Sequence, residues 1–249
     1  SFTPTITDIR QLTYHYFVVV REKCFEVYYT NHEKRQTKIM QQRVDRTILK
    51  IETSHDLRNN RVILMLFYHG RRVDVYFASF STNHYLMGVR LVKQVLVQQS
   101  SEESGAVELD FAHMYRCVII GPYKFIATFN FPREDSRNHC VYYVNLAPLS
   151  SRDVSGLPRG ADITPFAVYF SEQQPLKVCG LTNCIAVLED KYNTIKFIRY
   201  NLHKNAANED ESGRNMTDTL IIDFRTQSVY DFIRLDDIAH SPQLYTKYK

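Results

Sequence analysis

The stretch Val107-Glu108-Leu109-Asp110-Phe111 alternates apolar and acidic residues, and this alternation predicts a short β-strand with one buried face. Similar stretches lie at residues 48–52, 166–170 and 220–224. When the four stretches are aligned, one column holds Glu52, Asp110, Tyr169 and Asp223, with separations of 58, 59 and 54 residues. A nearly constant period of this size indicates a repeated β unit. We therefore expect residues 107–111 to form the opening strand of such a unit.

The clearest unit follows residue 45. Its second strand is a continuous apolar run, which predicts a strand that is buried on both faces of a sheet. Short polar connections separate the strands, so the unit is expected to be an antiparallel four-stranded meander. The predicted strands are residues 48–53, 62–68, 73–80 and 85–97.

The whole chain of 249 residues is predicted to be one all-β repeat domain, 1–249. A repeat of about 40–50 residues with four strands is typical of a β-propeller blade, and we expect a small propeller of about five blades. The alternative is one or two β-sandwiches, since their strands have similar spacing. The approximate units are residues 1–45, 46–104, 105–155, 162–212 and 215–249.

The composition supports an all-β chain and argues against several functional classes. The aromatic residues are 17 Tyr and 15 Phe with no Trp, and these residue types favour strands. The net charge of +4 is mild and forms no basic stripe, so a nucleic-acid partner is not expected. Single-stranded nucleic acid stacked on exposed aromatic residues is kept as a minor hypothesis.

Nothing in the sequence predicts a membrane segment or a leader. No apolar run reaches the length that a membrane-spanning helix needs. The first residues, Ser1-Phe2-Thr3-Pro4, lack the charged and apolar regions of a signal peptide. Localisation stays open, although an odd cysteine count favours an intracellular chain over a disulfide-based secreted one.

Five cysteines occur at irregular spacing, which does not predict a disulfide framework. One pair, Cys179 and Cys184, flanks a short predicted hairpin turn and could form a cross-strand disulfide. Reduced thiols in the core are the expected state. The sequence has no paired short Cys/His spacings and no phosphate-binding glycine loop, so neither a metal nor a cofactor is expected.

The aligned carboxylates suggest one enzymatic hypothesis. If the first strand of each blade lines the channel, Glu52, Asp110 and Asp223 could converge at its mouth and act as a glycosidase-like hydrolase. The favoured interpretation is that they are ordinary polar residues on the solvated face of alternating strands. The chain is thus more readily interpreted as a non-enzymatic protein.

The preferred hypothesis is a protein-binding module that presents loops on a rigid β scaffold to another protein. The candidate contact loops are residues 31–35, 81–84, 133–138 and 155–161. Arginine is a frequent anchor in interfaces because its planar charged group makes several hydrogen bonds. The candidate binding residues are Arg35, Arg71, Arg72, Arg133, Arg137 and Arg159.

Overall fold

A computed structural model describes the chain as sixteen β-strands in four antiparallel sheets. The described residues are 5–97, 110–130, 139–146, 166–171, 175–180, 184–189, 194–199 and 219–223. Two single turns of 3-10 helix, Leu57–Asn59 and Phe111–His113, complete the regular structure of this part. No helix that could cross a bilayer occurs among these residues.

The first two sheets are four-stranded meanders in which each strand pairs with its neighbour in sequence. The first sheet contains β1 (Ile6–Gln11), β2 (Tyr16–Arg21), β3 (Cys24–Thr30) and β4 (Gln36–Arg43). The second sheet contains β5 (Ile48–Asp56), β6 (Arg61–Tyr68), β7 (Arg72–Phe80) and β8 (Leu86–Leu96).

The other two sheets repeat this order. The third sheet contains β9 (Met114–Gly121), β10 (Lys124–Asn130), β11 (His139–Asn145) and β12 (Phe166–Ser171). The fourth contains β13 (Pro175–Gly180), β14 (Cys184–Glu189), β15 (Thr194–Arg199) and β16 (Thr219–Asp223).

Strand β6 shows how an apolar run specifies a buried central strand. Alternate residues of a strand point to opposite faces of its sheet, so both faces of β6 need apolar cover. Val62, Leu64 and Leu66 enter the core between the first two sheets. Ile63, Met65 and Phe67 enter the core between the second and third sheets. The prediction of a strand buried on both faces is confirmed.

The sheets stack face to face in chain order, and this stacking gives the propeller. One apolar core joins sheets one and two, a second joins two and three, and a third joins three and four. The first strands of consecutive sheets contact one another, β1 with β5, β5 with β9 and β9 with β13. First strands that gather at one edge of stacked meanders are the inner strands of propeller blades. The all-β propeller prediction is confirmed, and its count of five blades stays a prediction.

The aligned stretches occupy different positions in their sheets, which corrects the order of strands that the repeat suggested. Residues 48–52 lie in the inner strand β5, but Phe166–Ser171 and Thr219–Asp223 are the last strands of sheets three and four. Asp110 and Phe111 belong to no strand, because Asp110 caps the 3-10 turn before β9. The sheets therefore span residues 6–43, 48–96, 114–171 and 175–223. The division of the whole chain into repeat units stays a prediction.

Alternation identifies a strand but does not say which strand of a sheet it is, and this explains the error. Phe111 is buried against Phe67 and Phe125, with ring centroids 5.1 Å from Phe67. It fills the core between sheets two and three although it lies outside any strand. Residues 107–109 and nearly all of the predicted fifth unit, 215–249, lie outside the described part.

Candidate functional site

Four turns of the first two sheets lie at the same end of the molecule. They are residues 12–15, 31–35, 57–60 and 81–85, and we call this surface the turn face. The inner strands β1 and β5 run in the same direction, because Arg10 donates a hydrogen bond to Ile51 O and Thr53 donates one to Gln11 O. The turns that follow these strands must therefore emerge side by side.

The turn face leaves large apolar and aromatic side chains in solvent. The exposed fractions are 66% for Tyr14, 53% for Leu57, 62% for Tyr85 and 72% for Met87 at the start of β8. Single exposed apolar residues are common on proteins, but several at one end of adjacent sheets indicate an interaction surface. Tyrosine adds a large rigid area and a polar hydroxyl, which suits contact with another protein.

Two turns of this surface have the same geometry. In one turn, Asn31 N donates to Arg35 O at 3.1 Å, and Arg35 N donates to the Asn31 side chain at 2.9 Å. In the other, Ser81 N donates to Tyr85 O at 2.8 Å, and Tyr85 N donates to Ser81 Oγ at 3.1 Å. Arg35 and Tyr85 thus occupy equivalent places, one per sheet. Both side chains are exposed.

Left-handed backbone occurs at three residues of the turn face that are not glycine. They are Lys34, Asn60 and His84, with φ of 61°, 48° and 62°. Such a conformation costs on the order of 1–3 kcal/mol each and persists only where surrounding structure imposes it. The side-chain amide of Asn60 donates to Phe80 O and Ser81 O, both at 2.8 Å. These bonds join the turn at 57–60 to the turn at 81–85.

Buried groups beneath the turn face make it rigid across both sheets. The Tyr16 ring packs against Tyr29 at 5.2 Å and against Phe80 at 5.5 Å, measured between ring centroids. The Tyr16 hydroxyl accepts a hydrogen bond from Leu86 N at 3.3 Å. Tyr16 therefore connects a strand of the first sheet to the start of β8. The surface is preformed by contacts that cross the sheet boundary.

A second set of bonds anchors the turn at 57–60. Asp56 accepts hydrogen bonds from Arg61 Nε at 2.7 Å and from the Asn59 amide at 2.8 Å. The Arg61 guanidinium also lies 3.8 Å from the centroid of the Phe77 ring. Burial raises the pKa of Asp56, but the bonds from Asn59 and Arg61 outweigh it and lower the pKa overall.

Two of the carboxylates proposed for catalysis, Glu52 and Asp110, do not meet. Glu52 lies midway along β5 and pairs with Lys50 at 3.2 Å and with Arg10 at 3.6 Å. Asp110 is at the opposite end of the sheets, where its side chain accepts from Gly70 N at 3.0 Å and Ala112 N at 2.8 Å. Asp223 ends β16, the last strand of the fourth sheet. Glu52 and Asp110 therefore form no acid–base pair.

The charged side chains along the inner strands form ion pairs with one another. Lys50 Nζ also donates to Tyr115 O at 3.1 Å, so the bonds from Arg10 through Glu52 to Lys50 link strands β1, β5 and β9. Cys117 lies near this group, and burial raises the pKa of its thiol well above the usual range. A thiol that stays protonated is a poor nucleophile. This cluster holds the inner strands together.

Of the six arginines predicted for binding, the structure describes three. Arg35 is on the turn face, where it pairs with the exposed Glu33 at 3.2 Å. Arg71 is half-buried at the β6–β7 turn, at the opposite end. Arg72 makes the contacts with Asp74 and Asp45 described below, and its role in binding stays a prediction. Arg133, Arg137 and Arg159, with their loops, lie outside the described residues.

Arg72 belongs to a buried network at the end of the second sheet opposite to the turn face. Its guanidinium donates to both oxygens of Asp74, at 2.9 and 3.0 Å, and to Asp45 at 2.8 Å. Asp74 also accepts from the Tyr68 hydroxyl at 2.9 Å and from Gln94 at 3.2 Å. The bonds to Asp74 raise the pKa of Arg72, and burial with the Asp74 charge raises the pKa of Tyr76 to about 12. These contacts use three of the five N–H donors of Arg72 and fix the position of its guanidinium.

The cysteine pair does not have the register of a direct cross-strand disulfide. Cys179 lies opposite Ala186, and Gly180 lies opposite Ile185, so Cys184 is displaced by two residues from the position across from Cys179. Such a bond requires facing Cα atoms about 4.4–6.8 Å apart. No group of three or more potential metal ligands occurs in the described part of the chain.

The sequence did not single out Leu57, Tyr85 or Met87. Leu57 is an apolar residue between Asp56 and Arg58, and Tyr85 follows a polar turn. An apolar side chain inside a polar turn has no sheet face to pack on, and that pattern would have identified both residues. The turns themselves, 31–35 and 81–84, were correctly located.

Comparison with known proteins leaves the chain without a family. No family model matches it, and no curated protein matches it. Among solved structures it is similar to the N-terminal domain of Nup159, with 10% identity over 76% of this chain and 60% of that one, at a TM-score of 0.28. A Saccharomyces cerevisiae complex of a Dbp5 variant with Nup159, a Gle1 variant, IP6 and ADP matches at 11% identity and a TM-score of 0.27, over 76% of this chain and 59% of that one. The chain spans about three fifths of these structures. The propeller assignment is based on the sheets described above. With TM-scores below 0.3, the similarity to these structures says nothing about function.

Proposed function

We propose that this chain is a non-enzymatic protein-binding module and that the turn face is its contact surface. The observation that carries the proposal is the pair of equivalent turns that present Arg35 and Tyr85 from adjacent sheets. Tyr and Arg are the residue types that most often dominate binding energy in protein interfaces. Two of them held in the same turn geometry form a preorganised pair of anchors.

The surroundings of this pair suit a protein partner. Tyr14, Leu57 and Met87 add exposed apolar area at the same end. The turns are fixed by Tyr16, Asn60 and Asp56, so little side-chain or loop ordering is required when a partner binds. Preorganisation of this kind raises affinity because the entropic cost of ordering is already met in the free protein.

The experiment compares partner capture by the purified chain and by a turn-face variant. The variant carries Arg35→Ser and Tyr85→Ser, and the matched control carries Ile9→Ser, since Ile9 is equally exposed but lies on β1. Proteins retained from native extract are identified by mass spectrometry, and binding of the retained protein is then measured in purified form. We expect the partner to bind the wild-type and control chains alike and the variant at least about 10-fold more weakly.

Photo-crosslinking tests the location independently. A photoreactive amino acid in place of Leu57 should crosslink to the captured partner, and the same group in place of Ile9 should not. A partner that binds all three chains equally, and crosslinks only from position 9, would refute the turn face as its site.

A further inference from the structure

We propose that the outer edge of the second sheet, at β8, binds an extended acidic segment of a partner protein, which adds to the sheet as a further strand. This site is separate from the turn face and is not required by the function proposed above. We call it the β8 edge, and it comprises residues 88–96.

Among the described residues, no strand lies beside the outer backbone groups of the β8 edge. β8 is the last strand of its sheet and, with 11 residues, the longest strand described. In the described part of the chain it pairs only with β7. Alternate N–H and C=O groups of an edge strand point away from its neighbour, and an incoming strand can bond to them. The pairing of β8 with β7 shifts register at Met87 and at Val92, so β8 pairs regularly from Gly88 to Leu91.

Exposed apolar side chains next to this edge would be buried by a partner strand. Leu91 and Leu96 are 39% and 46% exposed, and their β7 partners are Tyr76 and Arg72. Val89 of β8 and Met40 of β4 are half-buried at the rim of the core between the first two sheets. Gly88 adds space, because a Cβ built on it would meet nothing within 4 Å. An added strand with an apolar residue at every second position could cover this rim.

The charge of the edge selects an acidic partner. β8 contains Arg90 and Lys93 and no acidic residue, and the facing outer strand β4 contains Lys38 and Arg43 and no acidic residue. Lys93 is used internally, since it donates to Leu146 O and lies over the Tyr123 ring. Lys38 is used as well, in a pair with Glu26 at 3.1 Å. Arg43 lies opposite Cys24, on the face of β4 that is away from the second sheet, so it does not contribute. Arg90 is exposed and lies on the face of β8 opposite to Leu91, so carboxylates that alternate with apolar residues would complement it.

The same charges disfavour a second copy of this chain as the occupant. Two β8 edges paired with each other would bring Arg90 and Lys93 of one copy near those of the other. Like charges opposite one another on paired strands are destabilising. A basic edge also attracts nucleic acid, but the exposed leucines and the free backbone edge favour a peptide.

The test measures binding of two fluorescent eight-residue peptides to the intact chain by anisotropy. One peptide alternates leucine with glutamate, and the other alternates leucine with lysine. We expect the acidic peptide to bind at least about 10-fold more tightly. Leu91→Glu should weaken it by about 10-fold and Arg90→Glu by about 2–5-fold, as expected for a buried interface contact and an exposed charge pair.

Matched controls separate site effects from general charge effects. Ile9→Glu repeats the apolar-to-acidic change on β1, and Arg116→Glu repeats the charge reversal on β9; both residues are exposed. Neither should change peptide binding by more than about 2-fold. Thermal melts of each variant confirm folding, and amide hydrogen exchange should slow at Gly88–Leu91 when the acidic peptide is present.

Several outcomes would overturn the proposal. These are equal binding of both peptides, acidic-peptide binding that Leu91→Glu leaves intact, and tight binding of a single-stranded 12-nucleotide DNA in place of the peptide. Dimerisation of the chain that Leu91→Glu abolishes would assign the edge to a second copy instead. If Arg35→Ser with Tyr85→Ser removes peptide binding, the peptide occupies the turn face; the β8 edge is then wrong, whereas the proposed function stands.

Discussion

At one end of the second sheet, Arg72 is only 15% exposed and lies between Asp74, Asp45 and the ring of Tyr68. At the other end, Leu57 and Tyr85 stand in solvent on turns that are tightly bonded from below. A charged residue is hidden at the first end, and apolar residues are exposed at the second. Both reverse the usual distribution, in which charged groups are on the surface and apolar groups are inside.

The two ends differ in whether the unusual groups find partners within the protein. Arg72 donates to Asp74 and Asp45, and Asp74 also accepts from Tyr68 and Gln94, so the charged groups at this end are paired within the protein. The side chains of Leu57 and Tyr85 have no comparable cover, although their backbone is fixed. A charged pair beside a turn is thus weak evidence for a binding site, whereas an exposed apolar tip on a rigid turn is stronger evidence.

The largest expected effect tests the buried end. Asp74→Ala would leave Arg72 buried with its bidentate partner removed, and the Tyr68 hydroxyl would lose its acceptor. Breaking a buried ion pair in this way costs about 3–5 kcal/mol of unfolding free energy. Chemical denaturation of the variant and of wild type measures the difference.

Asp45→Ala is the matched control for this change, because the Asp45 carboxylate contacts the same arginine but is 62% exposed. An exposed ion pair contributes about 0–1 kcal/mol. Equal losses from the two variants would contradict the distinction between a buried and a surface partner of Arg72.

The next effect concerns Asp56 under the turn face. Its pKa is lower in the folded chain than in the unfolded chain, so its bonds to Asn59 and Arg61 stabilise the fold fully above the unfolded value near pH 4. This contribution is lost as pH falls below about 4 and the carboxylate becomes protonated. Asp56→Asn should cost about 1–2 kcal/mol at neutral pH and should lose less stability on acidification than wild type does. Denaturation curves from pH 7 to pH 3 measure both differences, and parallel pH profiles would contradict the assignment.

Local patterns in the sequence correctly predicted the propeller class and the four strands of the second sheet. The run at 62–68 needs apolar cover on both faces wherever it lies, so its burial follows from composition alone. The turns at 31–35 and 81–84 were predicted for a similar reason, since Asn31 and Ser81 are residues that bond to nearby backbone and start turns.

The positions of the strands within their sheets depend on pairing between distant residues and were not predictable from alternation. Asp110 shares its pattern with Glu52, but its carboxylate bonds Gly70 N, which is 40 residues away in sequence. The pairing of Arg72 was also not foreseen, although Asp74 two residues later is on the same face of a strand and could have indicated the pair. A local sequence pattern does not reveal interactions that join separate sheets.

A smaller effect is expected where the turn face joins the two sheets. Tyr16→Phe keeps the ring between Tyr29 and Phe80 but removes the hydroxyl that accepts from Leu86 N. The loss should be about 1 kcal/mol, typical of one hydrogen bond. Tyr14→Phe is the control, because Tyr14 is exposed and should change the unfolding free energy by less than about 0.5 kcal/mol. If both variants lose the same stability, the bond to Leu86 does not connect the sheets as described.

The smallest effect on stability is expected at the anchors themselves. Arg35→Ser and Tyr85→Ser remove side chains that pack against little of the protein, so the unfolding free energy should change by less than about 0.5 kcal/mol. The turns should keep their geometry, because Asn31 and Ser81 supply the acceptors and the backbone supplies the donors. Melting curves and amide exchange at residues 31–35 and 81–85 test this expectation. A large loss of stability would show that the Arg35 and Tyr85 side chains stabilise the fold. The turn face would then not differ in this respect from the opposite end of the second sheet, where Arg72 is paired within the protein.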